Sequence, residues 1–107
     1  MDDLMLSQKM TERLAVLGEN LQLARKRRGK NEKQAAEMIG ISRSTLRRME
    51  EGDPGVKMGT YLAALESYQL EDSLRFAEPQ EDVIGLSHEK QRLPKRIRPK
   101  IEKKYDF

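Results

Sequence analysis

The chain has 107 residues, 36% apolar and 36% charged, which suffices for one small core and a long solvated remainder. It has no cysteine and one histidine, so disulfides, thiolate metal sites and a His-dependent zinc or catalytic constellation are excluded. The formal charge of +3 hides a segregated pattern: 12 Lys or Arg against 7 Asp or Glu over residues 9–57, 1 against 6 over 58–87, and 8 against 3 over 88–107.

Basic blocks beside an acidic one suit a chain that meets a polyanion with one surface and something else with another. A solvated helical surface laced with salt bridges would carry the same charges. No apolar run reaches the roughly 18 residues of a membrane span. Met1-Asp2-Asp3-Leu4 carries acid where a secretory leader would carry base, so a soluble intracellular chain without membrane contact is expected.

After an N-terminal arm over residues 1–10, helical spacing of Leu14, Leu17, Leu21 and Ala24 predicts a first amphipathic helix over about 12–28, capped by Thr11. The basic run from Arg25 to Arg28 complements its C-terminal carbonyls, and Gly29 ends it. Asn31 caps a short second helix with Ala35, Ala36 and Ile39 on its apolar side, stopped by Gly40. Ser42 caps a third, residues 43–51, with Leu46 and Met49 inward; Gly52 and Asp53-Pro54-Gly55 close it.

A fourth helix over about 58–68 is expected to bury Tyr61, Leu62 and Leu65, and a fifth over 71–77 to bury Leu74 and Phe76. Asp82-Val83-Ile84-Gly85-Leu86 suits an extended segment that pairs once a partner is present. Beyond Ser87, two prolines and eight basic residues make a basic, flexible tail. The expectation is an all-α protein: a five-helix domain over residues 11–78 followed by a C-terminal extension and tail, 79–107.

The second and third helices, joined by Gly40-Ile41-Ser42, carry the function. A small residue and a tight turn let the pair cross steeply and present the later helix outward, in a shape that enters a DNA major groove. Any compact helical hairpin would reproduce the apolar spacing. It would not need Arg43, Ser44, Arg47 and Arg48 on the exposed side.

LGENLQLARKRRG and GISRSTLRRMEEGDP resemble the Cro and phage-repressor class of helix-turn-helix proteins, often called the XRE family, over about residues 14–76. EDVIGL with RLPKRIR is similar to HipB-type antitoxin components, encoded beside HipA-like serine/threonine kinase toxins. The resemblance implies that Arg43, Ser44 and Arg48 read bases, with Arg47 beside them, while Ser42 and Thr45 reach phosphate. Guanine is the natural target of such arginines, through O6 and N7.

Where the family usually opens the second helix with Thr-Gln, this chain has Asn31-Glu32. Asn31 and the free amides of that helix start suit phosphate, with Lys30 or Lys33 expected to offset the Glu32 carboxylate; Asn31 and Lys33 are therefore assigned to phosphate. The resemblance also implies an internal salt bridge between Arg25 and Glu50, so neither is taken as a DNA contact.

A module this small is expected to dimerise on a near-palindromic operator of double-stranded DNA, with the acidic fourth and fifth helices as the homodimer surface. Arg92, Lys95, Arg96 and Arg98 in the tail would dock on the kinase or grip DNA backbone. The implied function is a bacterial, cytoplasmic and nucleoid-associated repressor that autoregulates a toxin-antitoxin operon. An interaction adaptor with secondary DNA contact, or a generic repressor without a toxin partner, stays open. No nucleophile motif, paired carboxylate pocket or P-loop occurs, so neither enzymatic activity nor a cofactor is expected. His88 reads as solvated surface, and Tyr61, Tyr68 and Phe76 as core rather than a base-stacking platform.

Overall fold

The computed structural model describes residues 5–73 and 75–92, which fall into two units, Met1–Leu74 and Arg75–Phe107. The first holds α1 (Gln8–Arg27), α2 (Glu32–Ile39), α3 (Arg43–Glu50), α4 (Met58–Ser67) and a 3-10 turn, Glu71–Ser73. The second holds a 3-10 turn, Pro79–Glu81, and α5 (Val83–Arg92). The fold is all-helical, with five α-helices and no strand among the described residues. No described helix is long and apolar enough to cross a membrane.

Local capping sets most of the boundaries. α1 starts at Gln8, not near residue 12, because Ser7 supplies the earlier cap. Its hydroxyl accepts the Met10 N–H at 3.1 Å and its carbonyl the Thr11 N–H at 2.9 Å, which leaves Thr11 inside the helix. At α2, Asn31 and Gln34 satisfy each other's backbone N–H groups with their side chains, a reciprocal capping box. Gly40, at φ 90°, takes the left-handed position that ends α2 and turns the chain toward α3.

The core of the first unit gathers Leu21 and Ala24 of α1, Ala35 and Ala36 of α2, Leu46 and Met49 of α3, and Tyr61, Leu65 and Tyr68 from α4 and its end. Leu62 is only partly buried at its margin. The Tyr68 hydroxyl is buried without a hydrogen-bond partner in the protein. Burial holds the Tyr68 phenol above its ordinary pKa.

Two glycines let backbone meet backbone where α1 lies on the end of α3. A Cβ on Gly18 would come within 2.6 Å of the Glu50 carbonyl oxygen, and one on Gly52 within 2.6 Å of the Ala15 Cα. Gly52 also sits at φ 76°. Helical spacing does not mark Gly18, because a glycine inside a helical pattern gives no sign of what approaches it.

The expected fifth helix over 71–77 does not form; a single 3-10 turn, Glu71–Ser73, takes its place. Ala77 adopts a positive φ of 49°, and Pro79 biases the residue before it away from helical geometry. Phe76 is 60% exposed rather than core, and Leu74 lies outside the described residues. The surface expected to form a dimer from the fourth and fifth helices therefore lacks its second element.

Asp82 to Leu86, expected extended, begins α5 instead. The Asp82 carboxylate accepts the Gly85 N–H and its carbonyl the Leu86 N–H, each at 2.9 Å, a cap that outweighs the β preference of Val83 and Ile84. Residues 88–92, read as the start of the tail, are thus helical, with His88 exposed and Arg92 in the last turn. Lys95, Arg96 and Arg98 lie outside the described residues.

Substituting Gly18→Ala is expected to cost about 2–3 kcal/mol, since the colliding atoms are backbone carbonyls that cannot swing away. Gly59→Ala, where nothing lies within 4 Å of the added carbon, is expected to be neutral or stabilising by up to about 1 kcal/mol. Denaturant unfolding of the two variants measures the contrast.

Candidate nucleic-acid interface

The outward side of α3 follows from its inward one. Leu46 and Met49 are completely buried against α1 and α2, where Ala35 and Ala36 allow close approach. At 3.6 residues per turn, Arg43, Ser44, Arg47 and Arg48 then share an arc of about 140° on the opposite side. All four are exposed.

Ser42 caps α3, its hydroxyl accepting the Thr45 N–H at 3.0 Å and donating to the Thr45 hydroxyl at 2.9 Å. The hydroxyl hydrogen left free for an outside acceptor is therefore that of Thr45. Ser42, Thr45 and Arg48 line one hollow with Lys57 and Thr60 at the start of α4, two polar residues that no motif in the sequence marks. Asn31 and Lys33 are exposed at the start of α2. The Asn31 side-chain oxygen, Oδ1, is occupied by the Gln34 N–H, so its side-chain amide hydrogens remain the outward donors.

Carboxylates meet three of the arginines' side chains. Glu32 Oε1 accepts from Arg47 Nε at 3.0 Å and lies 3.9 Å from Arg43 Nη2. These arginines, rather than Lys30 or Lys33, offset Glu32. Arg48 Nε donates to Asp53 Oδ2 at 2.9 Å, while Asp53 Oδ1 accepts the Gly55 N–H at 2.7 Å. Arg48 first, and then the Gly55 N–H, hold the Asp53 carboxyl below the usual carboxylate range. The pair therefore persists at acidities where an ordinary aspartate would protonate, and is lost as pH falls through the lowered value. The sequence showed Asp53 only as a turn residue; an acid five positions after an exposed arginine, in a turn folding back on the helix, was the available signal.

Other cations of the basic run are committed inward. Arg25 Nε and Nη2 donate to Glu50 Oε2 and Oε1 at 2.8 and 3.0 Å, and Nη1 donates to the Lys30 carbonyl at 3.0 Å. The pair is almost fully enclosed, Arg25 at 6% and Glu50 at 7% exposure. The hydrogen bond to Glu50 outweighs burial and holds the guanidinium above its ordinary pKa. Arg28 donates to the Ala24 and Tyr68 carbonyls at 2.9 and 2.7 Å and lies over the Tyr68 ring, 5.5 Å from its centre.

Arg25→Ala is expected to lower stability by about 3–5 kcal/mol, because Glu50 is left buried without its counter-charge. The double replacement Arg25→Met with Glu50→Leu should recover most of that loss. Denaturant titration of both variants, run beside DNA affinity, separates a folding defect from a lost contact.

The geometry so far is a short helix carrying arginines outward, joined to a second helix by a glycine turn and pinned from behind by a third. The model of the helix-turn-helix domain matches residues 16–77, more than half of the chain. No curated protein and no solved structure matches it. On the agreement of that match with the outward α3 and the Gly40 turn, the chain belongs to the helix-turn-helix domain family, and it carries a DNA-binding module of that kind.

Proposed function

We propose that the chain is a sequence-specific transcriptional repressor that binds double-stranded DNA as a homodimer, with α3 in the major groove. The observation that carries this reading is the exposure of Arg43, Ser44, Arg47 and Arg48 opposite the buried Leu46 and Met49. Arg43, Ser44 and Arg48 read base edges and Arg47 lies beside them, while Asn31, Lys33 and Thr45 hold phosphates and Ser42 acts there by orienting the Thr45 hydroxyl. A homodimer would place two copies of α3 on half-sites about 34 Å apart, or a multiple of it, on a near-palindromic operator. Self-association is supported by apolar side chains left open, among them Leu23 of α1 and Val83 and Ile84 of α5.

Selection from random duplexes followed by footprinting tests the base reading. The full chain should recover a guanine-containing site with two protected half-sites. Arg43→Ala should erase preference at one base pair per half-site, a discrimination of about 1–3 kcal/mol. Uniform weakening would make Arg43 a phosphate contact, and a wild-type chain that recovers no sequence would overturn the reading.

The finer proposal is an antitoxin component that autoregulates its operon in the bacterial cytoplasm, on the nucleoid, and binds a HipA-like serine/threonine kinase. Its support is the likeness of EDVIGL and RLPKRIR to HipB-type chains, together with the exposed Val83, Ile84 and Leu86 where the first of these runs opens α5. Arg92, Lys95, Arg96 and Arg98 are the candidate contacts, to the kinase or to flanking DNA backbone. Deleting residues 91–107 should abolish association with a kinase encoded alongside while leaving the salt dependence of DNA binding unchanged. A flattened salt slope with kinase binding intact assigns the segment to phosphate instead. A chain that holds the kinase yet shows no duplex preference would be the interaction adaptor.

A further inference from the structure

We propose that Asp53 is a positioning residue that fixes how Arg48 meets a base: it holds the guanidinium by Nε and leaves the two terminal nitrogens, which have no hydrogen-bond partner among the described residues, as a paired donor. The inference rests on the base-reading role given to Arg48 above, and it adds a specificity determinant lying outside the recognition helix. An unrestrained arginine on a helix surface samples many rotamers, and it can offer its Nε–Nη2 edge or its Nη1–Nη2 end to an acceptor. With Nε engaged, only the end remains. Two parallel N–H groups at the end of the plane match guanine O6 and N7.

What separates Asp53 from an ordinary surface partner is the way it is itself fastened. Its N–H donates to the Arg48 carbonyl at 3.0 Å and its carbonyl accepts the Tyr61 hydroxyl at 2.9 Å. Its Oδ1 accepts the Gly55 N–H, so Oδ2 is the oxygen left to Arg48. Tyr61 is buried in α4, which ties the carboxylate to the core. Gly55 completes the clamp, since a Cβ there would come within 3.1 Å of both Arg48 Nη2 and Asp53 Oδ1. Glu32, the partner of Arg47, shows no side-chain hydrogen bond of this bracing kind among the described residues.

A fixed carboxylate at this place has two effects on recognition. It lowers the entropy that Arg48 loses on reading a base. It also repels phosphate from the Nε side, so a backbone contact by Arg48 becomes a poorer alternative to a base contact. Sequence discrimination rises while affinity for arbitrary duplex falls.

The test uses the full chain and compares wild type, Asp53→Asn, Arg48→Ala and the double variant by selection from random duplexes. Thermal unfolding of each is followed in parallel. Asparagine retains an oxygen for the Gly55 N–H, and Asp53→Ser serves as a second probe of the same clamp should the first fail to fold. At the base pair whose preference disappears in Arg48→Ala, Asp53→Asn should lose on the order of tenfold in discrimination. Other positions should be unchanged, and affinity for random duplex equal or higher. In the Arg48→Ala background the Asp53 substitution should change discrimination no further.

Retained discrimination at that pair, loss spread evenly over all pairs, or a further loss in the double variant would each overturn the role of Asp53. A wild-type chain without any preference would overturn the base reading itself, whereas a selective wild type with an equally selective Asp53→Asn overturns the positioning role alone.

Discussion

The enclosed pairing of Arg25 with Glu50 is the constraint on which the orientation of α3 depends. Charges so buried are tolerated only when their geometry is nearly complete, and here three guanidinium nitrogens are used, two on Glu50 and one on the Lys30 carbonyl. The pair joins the last turn of α1, the last turn of α3 and the turn leading into α2. Rotating α3 about its axis would pull Glu50 away and expose Leu46 or Met49, while the backbone contacts at Gly18 and Gly52 leave no room to slide. The direction of the outward arginines is thus decided on the opposite side of the helix.

What the chain could be read for in advance was whatever depends on neighbours three or four residues apart. Asn31, Gly40 and Ser42 announce a cap, a left-handed turn and a second cap through local chemistry alone, and the two short helices lie where those residues put them. Leu46 and Met49 were legible for the same reason. Spacing does not choose between local signals: Thr11 is a good cap residue, yet Ser7 is the one that starts α1, and the cap made by Asp82 overrides the branched pair that follows it.

Contacts across the fold were illegible for a different reason. Gly18 meets Gly52's end of α3, and Asp53 meets Arg48, only after the chain has turned back on itself, so no periodicity encodes either. The Arg25–Glu50 pair was named through the family likeness and not through spacing. Phe76 shows the converse failure: helical spacing over 71–77 puts this aromatic in the core, yet the chain around it, with Ala77 left-handed and Pro79 close behind, offers no helix face to bury it.

The brevity of α2 and α3, eight residues each, has a thermodynamic consequence. Segments of that length fall below what nucleation allows an isolated helix to survive in water. Neither would persist as a separate peptide, and neither has an apolar surface sufficient to fold without α1 and α4. The outward arginines therefore share a single cooperative transition with the whole module: there is no partially melted form in which their exposed arc outlives its support.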